Sequence, residues 1–139
     1  MNKTGTTVSS QDAIGAVMVV GGGIAGIQAA LDLADLGFRV YLVEQGPAIG
    51  GKMAQLDKTF PTNDCSMCIL SPKLIECQRN ANIEIITLAE IREITGDPGR
   101  FKVSVLKKPR YIDEDLCTNC GQCSLYCPMV VPDQYNEGM

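Results

Sequence analysis

The sequence predicts an α/β chain: a parallel β-α-β unit, an antiparallel β-meander, and then a short cysteine-rich segment. Three observations predict it. An apolar run, Val17–Gly21, meets a glycine turn and then the helical repeat Ile24–Leu36. A second apolar run, Arg39–Glu44, comes at once and completes the β-α-β order. Far downstream, Cys117, Cys120, Cys123 and Cys127 fall in the spacing C-x2-C-x2-C-x3-C, with Pro128 after them.

The glycine turn is the most informative local feature. Gly21, Gly23 and Gly26 stand in G-x-G-x-x-G spacing between strand and helix. The first glycine permits the tight turn, the second lets a ligand approach the backbone, and the third lets helix and strand pack closely. The helix start adds about half a positive charge and unpaired N–H donors. This order is Rossmann-like and points to a dinucleotide. Its pyrophosphate is expected against Gly21, Gly23, Ile24, Ala25 and Gly26.

The helix has one polar face, Gln28, Asp32 and Asp35, and one apolar face, Ile27, Ala30, Leu31 and Ala34. Gly37 is expected to end it as a C′ glycine. Glu44 closes the second strand 18 residues after Gly26. An acid there accepts hydrogen bonds from a ribose hydroxyl and repels a 2′-phosphate, so FAD or NAD is expected, not NADP. The alternative is a solvated strand end. Gln45 and the loop through Gly50, Gly51 and Lys52 come next. A paired glycine after an acid-ended strand looks like the second fingerprint of FAD-binding flavoproteins, which favours FAD; the bland alternative is an ordinary turn.

Lys52 to Asp64 reads as loop, and Cys65 and Cys68 form a C-x-x-C pair after it. Ser71-Pro72 is a good helix start, with Ser as N-cap and Pro at the first helical position, so a short helix is expected over Pro72–Arg79. Cys77 on that helix reads as a small packed hydrophobe. Ile83–Thr87 is a strand, and Ala89–Thr95 pairs with Arg100–Lys107 across Gly96-Asp-Pro-Gly99. Alternation puts Phe101, Val103 and Val105 on one face, expected to be buried. Lys107–Arg110 is a linker. The expected organisation is a flexible lead-in over 1–16, a partial FAD-binding domain over 17–110 and a truncated ferredoxin-type segment over 111–139.

The cysteine run matches the bacterial ferredoxin pattern for a [4Fe–4S] cluster. Gly121 relieves crowding between ligands, and Pro128 stops the turn. A zinc site prefers two separated pairs, so iron–sulfur is the better reading. In two-cluster ferredoxins the fourth cysteine serves the other cluster. Cys127 therefore completes a lone cluster or belongs to a second one, and Cys65 and Cys68 stand as further candidate ligands. They are equally a candidate redox pair.

Seven cysteines, an odd number, and no histidine argue against a secreted disulfide scaffold and for a reducing compartment, the cytoplasm. The lack of histidine also removes Cys/His zinc patterns and every histidine base. Of the net charge of −4, residues 111–139 carry five acids and no Lys or Arg; residues 1–110 hold all twelve basic groups against eleven acids. There is no basic patch for nucleic acid. No apolar run approaches the roughly 20 residues of a membrane span.

Taken together, VVGGGIAGIQAALDLADLGFRVYLVE, GGKMAQLDKTFPTNDCSMCILSPKL and YIDEDLCTNCGQCSLYCP closely resemble the A subunit of heterodisulfide reductase, from Val17 onward. Members of that family are several times longer, so the chain matches their N-terminal part only. The resemblance implies FAD, [4Fe–4S] clusters, a thioredoxin-reductase-like fold and an oxidoreductase of anaerobic metabolism such as methanogenesis. It also implies B- and C-type partner subunits, with ferredoxin or hydrogenase subunits beyond them, and a flavin that splits electron pairs. Two other functions stay open on the residues alone: an FAD-dependent disulfide reductase using Cys65 and Cys68, and a non-enzymatic ferredoxin-like carrier.

Overall fold

The computed structural model describes residues 15–132. The lead-in expected over 1–16 lies outside the described residues up to position 14, as does the end of the cysteine-rich segment from position 133. Strands β1 (Ala16–Val20), β2 (Arg39–Val43) and β5 (Ile83–Ile86) form a parallel sheet in the order β1-β2-β5. Register pairs Val19 with Leu42, and Leu42 with Ile85. Helix α1 (Ile24–Asp35) crosses from β1 to β2, and helix α2 (Ser66–Arg79) leads into β5.

Both helices pack on one face of the sheet. The core there joins Ile27, Ala30, Leu31 and Ala34 of α1 to Val40 and Leu42 of β2, Leu70 and Cys77 of α2, and Ile83 of β5. The apolar stripe expected on α1 is the stripe that is buried. Gly37 takes φ 89°, as expected of a residue just past a helix end. Cys77 is fully buried, and burial pushes its thiol up from the ordinary value. It is a core residue.

The other face of the sheet looks across a cleft of about 940 Å³ to the hairpin of β6 (Ala89–Thr95) and β7 (Lys102–Lys107). Met18 and Tyr41 line one wall, Ile94, Phe101, Val103 and Val105 the other. The expected burial of that hairpin face is not realised. Phe101 is 61% exposed, and Val103 and Val105 are half-buried, because the walls stand apart. The meander is represented by this single antiparallel hairpin, with a register shift between Ile91 and Glu93.

Two other expectations need correction. The segment 52–64 is not plain loop: Gly51–Gln55 is a 3-10 turn, and β3 (Lys58–Thr59) pairs with β4 (Asp64–Cys65). And α2 begins at Ser66, six residues before the expected start, so Pro72 lies inside it. The Cys65 sulfur takes the capping role, accepting the Cys68 amide. The fully buried Ser66 fixes the start by donating its hydroxyl to the Leu56 and Asp57 carbonyls. These bonds and the burial of Leu70 offset the one helical bond that Pro72 cannot make.

Leu42 has no exposed surface and lies where the sheet meets α1. Leu42→Ala is expected to cost about 2–5 kcal/mol in urea unfolding. A loss under about 1 kcal/mol would contradict this placement of the core.

Candidate functional site

The glycine turn sits at the carboxyl end of β1. Gly21 has φ 98°, and its amide donates to the Val43 carbonyl at 2.8 Å, which ties the turn to β2. A Cβ on Gly26 would lie 1.9 Å from the Gly21 carbonyl oxygen, so only glycine lets the helix come this close. A Cβ on Gly23 would meet nothing within 4 Å. Gly23 is the N-cap of α1, and no side chain caps it. The Ile27 amide donates to the Gly23 carbonyl as the helix begins, so the amides of Ala25 and Gly26 come before the helical ladder.

The second glycine pair docks on the first motif. The Gly50 amide donates to the Gly22 carbonyl at 2.7 Å, and Gly23 and Gly50 form a parallel bridge. A Cβ on Gly51 would stand 2.9 Å from Gly23 Cα. Gly50 and Gly51 have φ 128° and 58°, a region other residues enter at a cost. Glu44 fastens the assembly. One carboxylate oxygen accepts the Gly22 amide at 2.5 Å, and the other accepts the Gly46 amide at 2.6 Å.

Gly21, Gly23, Ile24, Ala25, Gly26, Glu44, Gly50 and Gly51 are thus brought to one edge of the sheet. Gln45 and Lys52 are exposed beside it. The Glu90 carboxyl is held below its usual range chiefly by the Lys108 ammonium, with a smaller contribution from the Gln45 side chain. Gly22 is not among the expected site residues, yet it carries the bond to Glu44, and a Cβ there would lie 2.6 Å from Ile49 Cγ2. The signal for it is the glycine triplet, of which the fingerprint uses only two. An open helix start beside a glycine-lined backbone cradle fits an FAD pyrophosphate, with Glu44 held at the edge where a ribose would lie.

The cysteine run lies on an exposed segment. The Asp113 backbone carbonyl accepts the Cys117 amide, Gly121 takes φ 76°, and helix α3 (Gln122–Tyr126) comes directly after it. The Cys120 thiol is held below its ordinary value by the Gln122 amide and then the Thr118 hydroxyl. Four thiols and an amide aimed at sulfur suit the thiolate ligands of a [4Fe–4S] cluster. Among the described residues, no three Cys, His, Asp or Glu side chains converge as a metal site. Cys117, Cys120, Cys123 and Cys127 are all exposed.

The entry to that segment is tied down. Arg110 donates to the Pro47 carbonyl at 2.9 Å and to the Thr87 hydroxyl, and pairs with Glu114 at 2.5 Å. Pro47 lies just past β2, and Thr87 just past β5. The expected linker is therefore anchored at the carboxyl edge of the sheet, which nothing in its sequence announces.

Comparison with known proteins agrees with both halves. Residues 16–66 match the family model for FAD dependent oxidoreductases, and residues 110–133 match the 4Fe-4S binding domain. The chain is 60% identical over 122 residues to the A subunit of the H(2):CoB-CoM heterodisulfide,ferredoxin reductase of Methanothermobacter thermautotrophicus. This stretch of chain belongs to the heterodisulfide reductase A-subunit family. The match covers 88% of the chain and 18% of that relative, so the chain spans about a fifth of the relative's length. Among solved structures, L-proline dehydrogenase from P. horikoshii is similar over 66% of the chain and 19% of its own, at 28% identity and TM-score 0.55. The thioredoxin reductase of T. acidophilum shares the fold over 65% of the chain and 30% of its own, at 22% identity and TM-score 0.51. FAD and a [4Fe–4S] cluster are the cofactors of these two segments, and the fold is that of FAD-dependent oxidoreductases. Among the described residues, no helix is long and apolar enough to cross a membrane.

Glu44→Gln would turn an NH2 group toward one of two backbone N–H donors. The expected result is a loss of about 1–3 kcal/mol, with faster amide hydrogen exchange at Gly22 or Gly46. Unchanged exchange at both amides would contradict the role given to Glu44.

Proposed function

We propose that the chain is an electron-transfer subunit, or part of one, in a heterodisulfide-reductase-type complex, passing electrons between FAD and [4Fe–4S] centres. The observation that carries this reading is the Arg110 tether. It roots the cysteine run at the same edge of the sheet where the glycine turn opens. The tether supports a reading in which one chain carries both cofactor segments from a common edge of the sheet.

FAD, when bound, supplies one- and two-electron chemistry, and the cluster supplies one-electron chemistry. The residues do the rest. Gly21 would make the turn, and the backbone amides of Gly23, Ile24, Ala25 and Gly26 would face the pyrophosphate. Glu44 accepts from the ribose while holding Gly22 and Gly46. Gly50 and Gly51 keep their loop against the turn, with Gln45 and Lys52 at its rim. Cys117, Cys120, Cys123 and Cys127 would hold the cluster.

The partners proposed are B- and C-type subunits, with ferredoxin or hydrogenase subunits beyond them. Splitting of electron pairs at the flavin is the proposed use of this pairing of cofactors. Seven free thiols support a reducing, cytoplasmic setting.

Anaerobic reconstitution with iron, sulfide and FAD tests the reading. The expected product carries one flavin and about four iron per chain, with a brown absorption that dithionite bleaches. The double variant Cys117→Ser, Cys120→Ser should lose the iron and keep the flavin. A chain that takes up neither cofactor would overturn the reading.

A further inference from the structure

Cys65 and Cys68 have no part in the glycine cradle or in the downstream cysteine run, and the structure places their side chains together at the head of α2. Cys65 ends β4, paired across the short hairpin with Lys58. Behind it, the Ser66 amide and hydroxyl both bond to the Asp57 carbonyl. The backbone under Cys65 is therefore fixed from the core side. Cys68 comes one helical turn later, on the same side. Its thiol donates to the Cys65 sulfur at 2.8 Å, and its amide donates to the same sulfur at 3.3 Å. Both cysteines are exposed.

The pair stands at the start of α2, where the Cys68 thiol and the Cys68 amide both point to the Cys65 sulfur. That placement makes the two sulfurs unequal. Cys65 is held below the ordinary thiol range by the Cys68 thiol and then the Cys68 amide, against the opposing charge of Asp57. Cys68 is pushed up because it is the donor and faces that sulfur. A helix start can thus favour the attacking thiolate with no histidine nearby.

We propose that Cys65 and Cys68 form a dithiol–disulfide couple that exchanges with low-molecular-weight disulfides, Cys65 attacking and Cys68 resolving. The Cys65 thiolate attacks one sulfur of the disulfide RSSR. The RS–SR bond breaks, a Cys65–SR bond forms, and the departing thiolate takes a proton from water. Cys68 then gives its proton to water and attacks the Cys65 sulfur. The Cys65–SR bond breaks, the Cys65–Cys68 disulfide forms, and the second RS⁻ is protonated. The protein dithiol loses two electrons, and RSSR gains them as two RSH. This chemistry is independent of whether flavin or cluster is bound.

The test uses the full anaerobically purified chain in buffers of reduced and oxidised glutathione, with alkylation and peptide mass analysis as the readout. The wild type should form an intrapeptide Cys65–Cys68 disulfide as the buffer becomes oxidising. Cys68→Ser should instead accumulate glutathione on Cys65. Cys65→Ser, whose hydroxyl can still cap α2, should react at position 68 at least about tenfold more slowly. Buried Cys77 should stay unlabelled in every variant, which reports that each remains folded. Three results would overturn the proposal: no disulfide at any ratio, equal glutathione uptake by the two single variants, or iron or zinc that shields both thiols from alkylation in the purified chain.

Discussion

The structure depends on one backbone contact. Gly22 and Gly23, at the end of β1, lie directly against Gly50 and Gly51, beyond the end of β2. No side chain fits between them: a Cβ on Gly51 would come within 2.9 Å of Gly23 Cα. The contact brings the loop after β2 over the start of α1, and Glu44 holds it by bonding glycine amides on both sides. Later elements of the chain are placed from there. Met53 and Ala54 of the 3-10 turn pack on the core, and Leu56 and Asp57 then receive Ser66 at the head of α2. The same loop offers the Pro47 carbonyl to Arg110 at the root of the cysteine run.

Function arises from the asymmetry of this arrangement. One face of the sheet is packed with α1 and α2, which makes a firm base for the glycine turn. The carboxyl edge carries the loops, and there the chain collects its chemistry: an uncapped helix start, a fixed carboxylate, and the tether to four thiols. The segment holding those thiols has little apolar packing of its own. Tyr111, Leu116, Tyr126 and Val130 are all largely exposed. A bound cluster would give this segment the cross-links its own side chains do not supply.

Much of this is legible in the sequence because periodicity reports burial directly. Ile27, Ala30, Leu31 and Ala34 are readable as a buried stripe, and Cys77 as a core thiol. The G-x-G-x-x-G spacing and the cysteine spacing each name a chemistry through covalent geometry. Sequence patterns mislead where a tertiary contact outweighs a local preference. Ser71-Pro72 is a sound helix start in isolation, but a buried Ser66 and a sulfur cap begin α2 earlier. Phe101 alternates as a buried strand residue should, but a wide cleft leaves it exposed. The triplet marks Gly22 as unusual but not its partner, and Arg110 gives no local signal, because their importance lies in partners 22 and 63 residues away.

Glycine-on-glycine contact shapes the cradle proposed for FAD, and Gly51→Ala tests this most directly. The control is Gly99→Ala, whose glycine also has positive φ (85°) but open space around it, in the hairpin turn. Both variants carry a conformational cost of about 1–2 kcal/mol, so any difference between them reports the contact. FAD titration monitored by flavin fluorescence should show affinity falling at least about tenfold in Gly51→Ala and little changed in Gly99→Ala. Equal FAD affinity in the two variants and the wild type would contradict the role of the contact.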